Sequence, residues 1–341
     1  MTPAGLVTTD IDRAVSALRS GGLVGLPTET VYGLGAASAN VTAVARIFAV
    51  KGRPANHPLI LHLGGVTDLE TWATGLPDYA WRLGEFFWPG PLTMVLRRHP
   101  GQLYEHFAGN QPFVAIRVPA HDAALQLIAA VDGGIVAPSA NRFGRVSPTD
   151  VSHVLDEIGD ALIPGRDVIL DGGPSSVGVE STIIDCTGDA PVILRPGAIG
   201  QDVIGNVGGV EVAHRRSEYR APGTLTSHYA PRAKVIIADF LDAALDMIKN
   251  VREGDDSASE NVTVIPPSGL LALASVPSPE GIVRLAAPRD DAEYARCLYA
   301  ALRQADSLGL PYVIAIPPLG DGIAVAIQDR LSRASAEGLF R

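Results

Sequence analysis

At 341 residues the chain exceeds one ordinary domain, and two folded units are expected. Hydrophobic residues at 47% against 19% charged fit a well-cored soluble protein. A formal net charge of −10 works against nucleic-acid binding by the protein as a whole, so a phosphate ligand has to be met by local positive charge.

In chain order, Asp10 can cap a first helix in which Ile11, Val15 and Leu18 share a face, and Gly21-Gly22 ends it. A short apolar strand over 23–26 runs into a hydroxyl-rich turn, PTETVYG at 27–33. Asn40 can cap the next helix, which carries Val44, Ile47, Phe48 and Lys51 near one side and delivers Lys51-Gly52-Arg53-Pro54 at its end. A strand over 58–63 then presents His62. Further strands are predicted over 92–96, 114–118, 134–137, 168–170, 182–185 and 192–194, with helices over 79–87, 122–131 and 150–158. The pattern is strand-rich α/β without the regular alternation of a doubly wound fold.

Near residue 205 the texture changes. Residues 205–233 hold many Gly, Pro, Arg and His residues with little periodicity and read as a long linker. Cleaner alternation follows: strands over 235–238, 262–265, 282–285 and 312–316, and helices over 241–251, 292–307 and 323–334. A parallel α/β unit is expected here, with an exposed loop over 253–261.

Familiar cofactor signatures are mostly missing. There is no G-x-x-x-x-G-K-[ST], H-E-x-x-H, C-x-x-C or G-x-S-x-G, and Gly33-Leu34-Gly35 meets Ser38 where a dinucleotide fingerprint needs its third glycine. Cys186 and Cys297 lie far apart, are flanked by apolar residues, and read as buried free thiols. The N-terminus lacks the basic region and apolar core of a signal peptide, and no apolar run reaches the roughly 20 residues that span a bilayer. A cytoplasmic protein without membrane association is expected.

Five segments carry chemistry. The hydroxyls of 27–33 sit at a strand end, where they can bind a ligand or cap the turn. Lys51 and Arg53, in a chain with only three lysines, make a stiff cationic loop suited to phosphate, or a solvated helix C-terminus. Arg117 is a charge inside an apolar strand and calls for a partner, either a ligand carboxylate or an internal salt bridge. APSAN at 137–141, continued by Arg142, Arg145 and Ser147, leaves backbone N–H groups open to an anion. VEST at 179–182 and LRPG at 194–197 lie at the ends of predicted strands.

In order and spacing these blocks resemble the YrdC family. The resemblance is carried by PTETVYGLG (27–35), KGRP with HPLILH (51–62), WPGPLT (88–93), AIRVP (115–119), APSAN (137–141), GVESTI (178–183) and LRPG (194–197). APG at 221–223, HYAP at 228–231 and IQDRLSRA at 327–334 extend it to the family's long, two-domain form. Residues 224–227, Thr-Leu-Thr-Ser, depart from the bulkier basic and aromatic stretch usual there.

The resemblance implies an N-terminal twisted mixed sheet with helices over 1–205, a linker covering the active site over 206–232, and a smaller Rossmann-like parallel α/β domain over 233–341. It implies a nucleotidyltransferase that condenses L-threonine, bicarbonate or CO2 and ATP into threonylcarbamoyl-AMP and pyrophosphate, for the modified adenosine next to the tRNA anticodon. Carried over residue by residue, Thr30, His62, Arg117, Ala137 and Ser181 hold threonine. Lys51, Arg53, His57, Ser139, Asn141, Ser147, Arg195 and Tyr229 hold the nucleotide, with Lys51 and Arg53 supporting transfer. Thr28, Tyr32 and His228 are further candidates. Mg2+ is expected to arrive with ATP, with no metal held by protein side chains. A threonylcarbamoyl transferase complex downstream, and a weak contact with tRNA, complete the expected partners. Two rival readings stand beside this one: a carbamoyl-phosphate-dependent relative and a non-catalytic RNA-binding module using Arg142, Arg145, Arg215, Arg216 and Arg220.

Overall fold

The computed structural model describes residues 5–100, 106–214, 217, 219, 221–222, 229–243, 245–246 and 266–335. The expected strand over 262–265, the loop over 253–261, the end of the helix over 241–251, His228, Arg215, Arg216, Arg220 and the departure at 224–227 lie outside the described residues. The chain divides into two compact units, residues 1–143 with 147–224, and residues 144–146 with 225–341.

The first unit is built on one mixed sheet of eleven strands. Its elements are β1 (Val7–Thr8), α1 (Ile11–Arg19), β2 (Val24–Leu26), β3 (Gly33–Ala37), α2 (Val41–Lys51), β4 (Ile60–His62), α3 (Leu69–Trp72), β5 (Ala73–Thr74), α4 (Asp78–Phe87), β6 (Leu92–Arg98), β7 (Phe113–Arg117), α5 (Asp122–Ala129), β8 (Ile135–Val136), α6 (Val151–Ile158), β9 (Val168–Leu170), β10 (Thr182–Asp185), β11 (Val192–Arg195) and α7 (Gln201–Gly208). Strand order is β1-β9-β2-β3-β8-β4-β7-β6-β10-β11, with β5 added on β6. Helices start where the sequence places caps. The Asp10 carboxylate accepts from the amides of Asp12 and Arg13, and Asn40 accepts from Ala43 N at 2.9 Å. Helix α2 stops at Gly52, whose φ of 62° is left-handed and favours glycine.

Alternation along the central strands sorts residues into two faces. Leu61, Leu92, Met94, Leu96, Val114, Ile116, Val136 and Ile184 point to one side and join the main core with Val44, Ile47, Leu83 and Val154. Each fully buried side chain of this kind contributes roughly 2 kcal/mol. The opposite face holds a smaller apolar patch of Ile60, Val95, Phe113, Ala115, Ile183 and Tyr219. The next residues along the same face, toward the strand ends, are polar.

Strand β3 was not expected. The sequence reads as a turn there because GLGAA has no β-branched residue, so propensity is silent while pairing with β2 and β8 decides. Helix α7 crosses the expected break at 205. It packs on α4, where Arg82 Nε donates to Gly208 O at 3.1 Å and Ile204 is buried.

The second unit has a four-stranded sheet in the order β12-β15-β13-β14, made of β12 (Lys234–Ile237), β13 (Ser268–Leu271), β14 (Ile282–Ala286) and β15 (Tyr312–Ala315), all parallel. The sequence did not foresee β13. Helix α8 (Asp291–Ser307) is capped by Asp290, which accepts from Glu293 N at 2.8 Å, and Glu293 accepts from Arg289 N, one residue before the cap, at 2.8 Å. Tyr294, Leu298, Ala301, Leu302 and Ala305 form its buried stripe. Helix α9 (Ile323–Ser335) closes the unit. The architecture is the one the resemblance implies: a mixed sheet first, a smaller parallel α/β sheet second.

Candidate active site

The site is a polar row on the minor face of the first sheet. His62 at the end of β4 is in register with Arg117 at the end of β7. Thr93 lies one step beyond the Met94–Ile116 pair of β6 and β7, on the Arg117 side. Ser181 immediately precedes β10, and Arg195 ends β11 opposite Ile183. Five adjacent strands thus supply one row, which at about 4.8 Å per strand spans roughly 19 Å.

Arg117 organises one end. Its Nη1 donates to Thr30 Oγ1 at 2.7 Å, its Nε to Gly90 O at 3.3 Å, and its Nη2 lies 2.6 Å from Glu29 Oε1. That last contact is ionic and lacks hydrogen-bond geometry, so Arg117 Nη2 and both Glu29 oxygens are buried with no hydrogen-bond partner. The internal salt bridge foreseen as one alternative for Arg117 therefore exists, yet it leaves donor and acceptor capacity over. Thr28 is turned inward, donating to Val31 O at 2.6 Å and lying 3.0 Å from Thr30 Oγ1, so it shapes the turn. Burial, and secondarily the Arg117 charge, push the His62 imidazole down to about 3, so it is neutral at physiological pH.

The other end is held by Ser181. Its Oγ is 2.7 Å from Thr93 Oγ1, and Arg195 donates through Nη2 to Ser181 O at 2.9 Å and to its Oγ at 3.2 Å. Gly197 makes this possible. A Cβ there would sit 2.2 Å from Thr182 N and 2.6 Å from the Ser181 carbonyl carbon, so only glycine lets the turn after β11 lie against the start of β10. Ser147 Oγ donates to Glu180 Oε1 at 2.6 Å beside it.

The cationic loop is not a solvated helix end. Lys51 is 3% exposed and Arg53 8%. Lys51 Nζ donates to Ser139 O at 2.6 Å and to Asn141 O, joining the end of α2 to the APSAN loop. Burial, with Arg53 next, lowers its hold on a proton well below the usual lysine range. Arg53 donates to Pro58 O at 2.9 Å and stacks over Phe143, 5.7 Å from the ring centroid; the His57 ring meets Phe143 edge-on at 5.4 Å. Ala137 N donates to Ile60 O at 3.1 Å, which fixes the exit of β8.

Thr30, His62, Arg117, Ser181 and Arg195 are thus brought together, with Lys51, Arg53, His57, Ser139, Asn141 and Ser147 on loops of the same unit. Two further candidates have partners of their own. The Tyr32 hydroxyl donates to Gly173 O at 2.7 Å and accepts from Gly172 N at 3.2 Å, which ties two loops together. Tyr229 belongs to the second unit, where its buried ring faces Tyr299 at 5.7 Å and Arg330 at 5.2 Å. Sequence reasoning passed over Glu29, Thr93, Glu180 and Tyr219. The first three stand inside the quoted blocks, and alternation from Arg117 and Ser181 could have found Thr93. Tyr219 had no local signal. Its buried hydroxyl has no hydrogen-bond partner, and Arg53 and Arg195 are both within electrostatic reach of it. A separate cavity of about 480 Å³, near Leu18, Arg19, Asn40 and Asp132, contains none of these residues.

Fold and site together define a two-unit α/β protein of the YrdC type, with a preformed row of polar and cationic side chains on one sheet face. Residues 16–197 match the family model for Sua5, YciO and YrdC proteins, described as "Telomere recombination". Residues 198–336 match the model described as "Threonylcarbamoyl-AMP synthase, C-terminal domain". The chain belongs to the threonylcarbamoyl-AMP synthase family. It is 37% identical over 335 residues to the threonylcarbamoyl-AMP synthase of Pyrococcus abyssi (strain GE5 / Orsay), covering 96% of this chain and 94% of the relative. It is 36% identical over 337 residues to that of Bacillus subtilis (strain 168), covering 97% and 94%. The crystal structure of P. abyssi Sua5 complexed with L-threonine superposes with a TM-score of 0.81 at 36% identity, over 95% of this chain and 94% of that one.

Proposed function

We propose that this protein is a threonylcarbamoyl-AMP synthase, condensing L-threonine, bicarbonate or CO2 and ATP into threonylcarbamoyl-AMP and pyrophosphate. In the chemical step a carbamate oxygen attacks the α-phosphorus, and the bond to the β-phosphate bridging oxygen breaks. The nucleophile is already an anion. The protein therefore has to align two anions and offset their repulsion, which fits a site made of cations, hydroxyls and amides without a nucleophile–base pair.

The observation that carries this reading is the row from Arg117 to Arg195, beside a buried Lys51–Arg53 loop. Arg117 would take the threonine carboxylate, with Thr30, Ser181, Ala137 and neutral His62 around its polar groups. Lys51, Arg53 and His57 would face the phosphates, with Ser139, Asn141, Ser147 and Arg195 about the nucleotide. An arriving triphosphate would restore the charge that burial weakens on Lys51. Mg2+ would enter on the ATP phosphates and add to that compensation. Phosphate oxygens would be its main ligands.

No described helix is long and apolar enough to cross a membrane. We place the activity in the cytoplasm, supplying a transferase complex that passes the threonylcarbamoyl group to tRNA, with at most weak contact between this chain and tRNA. Pyrophosphate release from ATP tests the reading. Dependence on both threonine and bicarbonate is expected; release driven by carbamoyl phosphate without threonine, or no release, overturns it.

A further inference from the structure

Glu29 Oε1 and Arg117 Nη2 form a buried ion pair at 2.6 Å, and neither of these atoms nor Glu29 Oε2 makes a hydrogen bond. Thr30 Oγ1, on Nη1 of the same guanidinium, fixes the pair's orientation. Buried polar atoms are nearly always hydrogen-bonded, so each exception calls for an explanation, and a catalytic role is one. A donor and an acceptor of opposite charge, side by side, are complementary to one ligand chemistry in particular, an α-amino acid zwitterion, whose carboxylate and ammonium are separated by a single carbon.

We infer that Glu29 receives the ammonium group of threonine while Arg117 receives its carboxylate, and that Glu29 is the base that releases the amine for carbamate formation. This deepens the synthase reading and rests on it. An ammonium has no lone pair, so a proton must leave before an N–C bond can form. The ammonium gives one proton to a Glu29 oxygen. Glu29 passes it to a bicarbonate oxygen, which departs as water and leaves carbon dioxide. The nitrogen lone pair then forms the N–C bond, one C=O electron pair moves to oxygen, and Glu29 takes the second proton and releases it to solvent. Protonated threonine and bicarbonate thus become the carbamate, water and one proton. The carbamate is the anion that the polar row then presents to ATP. His62 is unsuited to this work because burial keeps it neutral and weakly basic.

The test compares binding of threonine with that of 3-hydroxybutyrate, which keeps the carboxylate and hydroxyl and lacks the amine. Wild-type protein is expected to prefer threonine by at least about tenfold, a preference typical of a buried charge-assisted contact. Glu29→Gln should abolish that preference, weakening threonine while 3-hydroxybutyrate binds at least as well as before. Equal binding of the two ligands to wild type overturns the inference without any variant, and so does a Glu29→Gln protein that keeps the preference or loses both ligands equally. Threonylcarbamoyl-AMP formation by wild type, followed separately, keeps this outcome distinct from failure of the synthase reading.

Discussion

In the first unit, Glu29, Lys51, Arg53, His62, Arg117, Glu180 and Arg195 are all buried; in the second, the buried polar side chains among the described residues are Ser268 and Arg330. The second pair is satisfied close by: Ser268 Oγ donates to Pro266 O at 2.8 Å, and Arg330 is ion-paired with Asp329 beneath the Tyr229 ring. In the first unit the network is larger, and Glu29 and Arg117 Nη2 are ion-paired at 2.6 Å without hydrogen-bond geometry. Burying a polar group without a partner costs about 1–3 kcal/mol. The first unit carries this polar row on one sheet face and packs the other face with Leu, Ile, Val and Met, the arrangement the proposed ligand site calls for. In the second unit Ser268 and Arg330 find their partners within the unit, and these contacts serve its own stability.

Four substitutions probe the difference between the units. Arg117→Ala removes the centre of the network and strands Glu29. The kcat/KM for threonine should fall on the order of a thousandfold, the scale of losing a buried charge pair, with a much smaller change in the KM for ATP. An unchanged threonine KM would break the contrast. Lys51→Ala removes both ties to the APSAN loop, and initial rates should fall about a hundredfold at saturating threonine; full activity would remove Lys51 from the site.

Asp167→Asn separates stability from function within the first unit. Burial alone would raise this carboxyl, but the Arg46 guanidinium at 2.6 and 2.8 Å and the amides of Ile163 and Leu23 hold it below the usual range. A depressed folded pKa gives stability that is complete above the unfolded value of about 3.9 and is lost as pH falls through the folded value. The substitution should lower unfolding free energy by about 2 kcal/mol at neutral pH and flatten the loss of stability below pH ~4, as read by urea titration at several pH values. Ser268→Ala in the second unit should cost about 1 kcal/mol and leave the kinetic constants unchanged; altered threonine or ATP kinetics would blur the distinction between the units.

Much of this was legible in the sequence. Caps at Asp10 and Asn40, period-2 strands and the buried stripe of α8 are local features, and local chemistry fixes them. The site residues were legible as blocks, because Lys51, Arg117 and Ser181 are polar in apolar surroundings. Their partners were not. Glu29 pairs with Arg117 across 88 positions, and Ser181 meets Thr93 across the β6–β10 pairing, so both contacts follow from strand order. Strand β3 was hidden because its residues are small, and α7 because six glycines and prolines over 196–200 and 205–209 mimic a linker while Ile204 anchors it. Tyr219 reads as one aromatic in an irregular stretch, and only the fold sets it on the face that carries the row.

On the proposed reading, one face of the first sheet seats an amino acid and a nucleotide end to end. Mass detection of products after mixing the pure protein with threonine, bicarbonate and ATP tests it most directly. Threonylcarbamoyl-AMP should form, with pyrophosphate in equal amount, and should vanish when any of the three substrates is withheld. AMP or ADP alone, or a product that forms without threonine, would contradict the account.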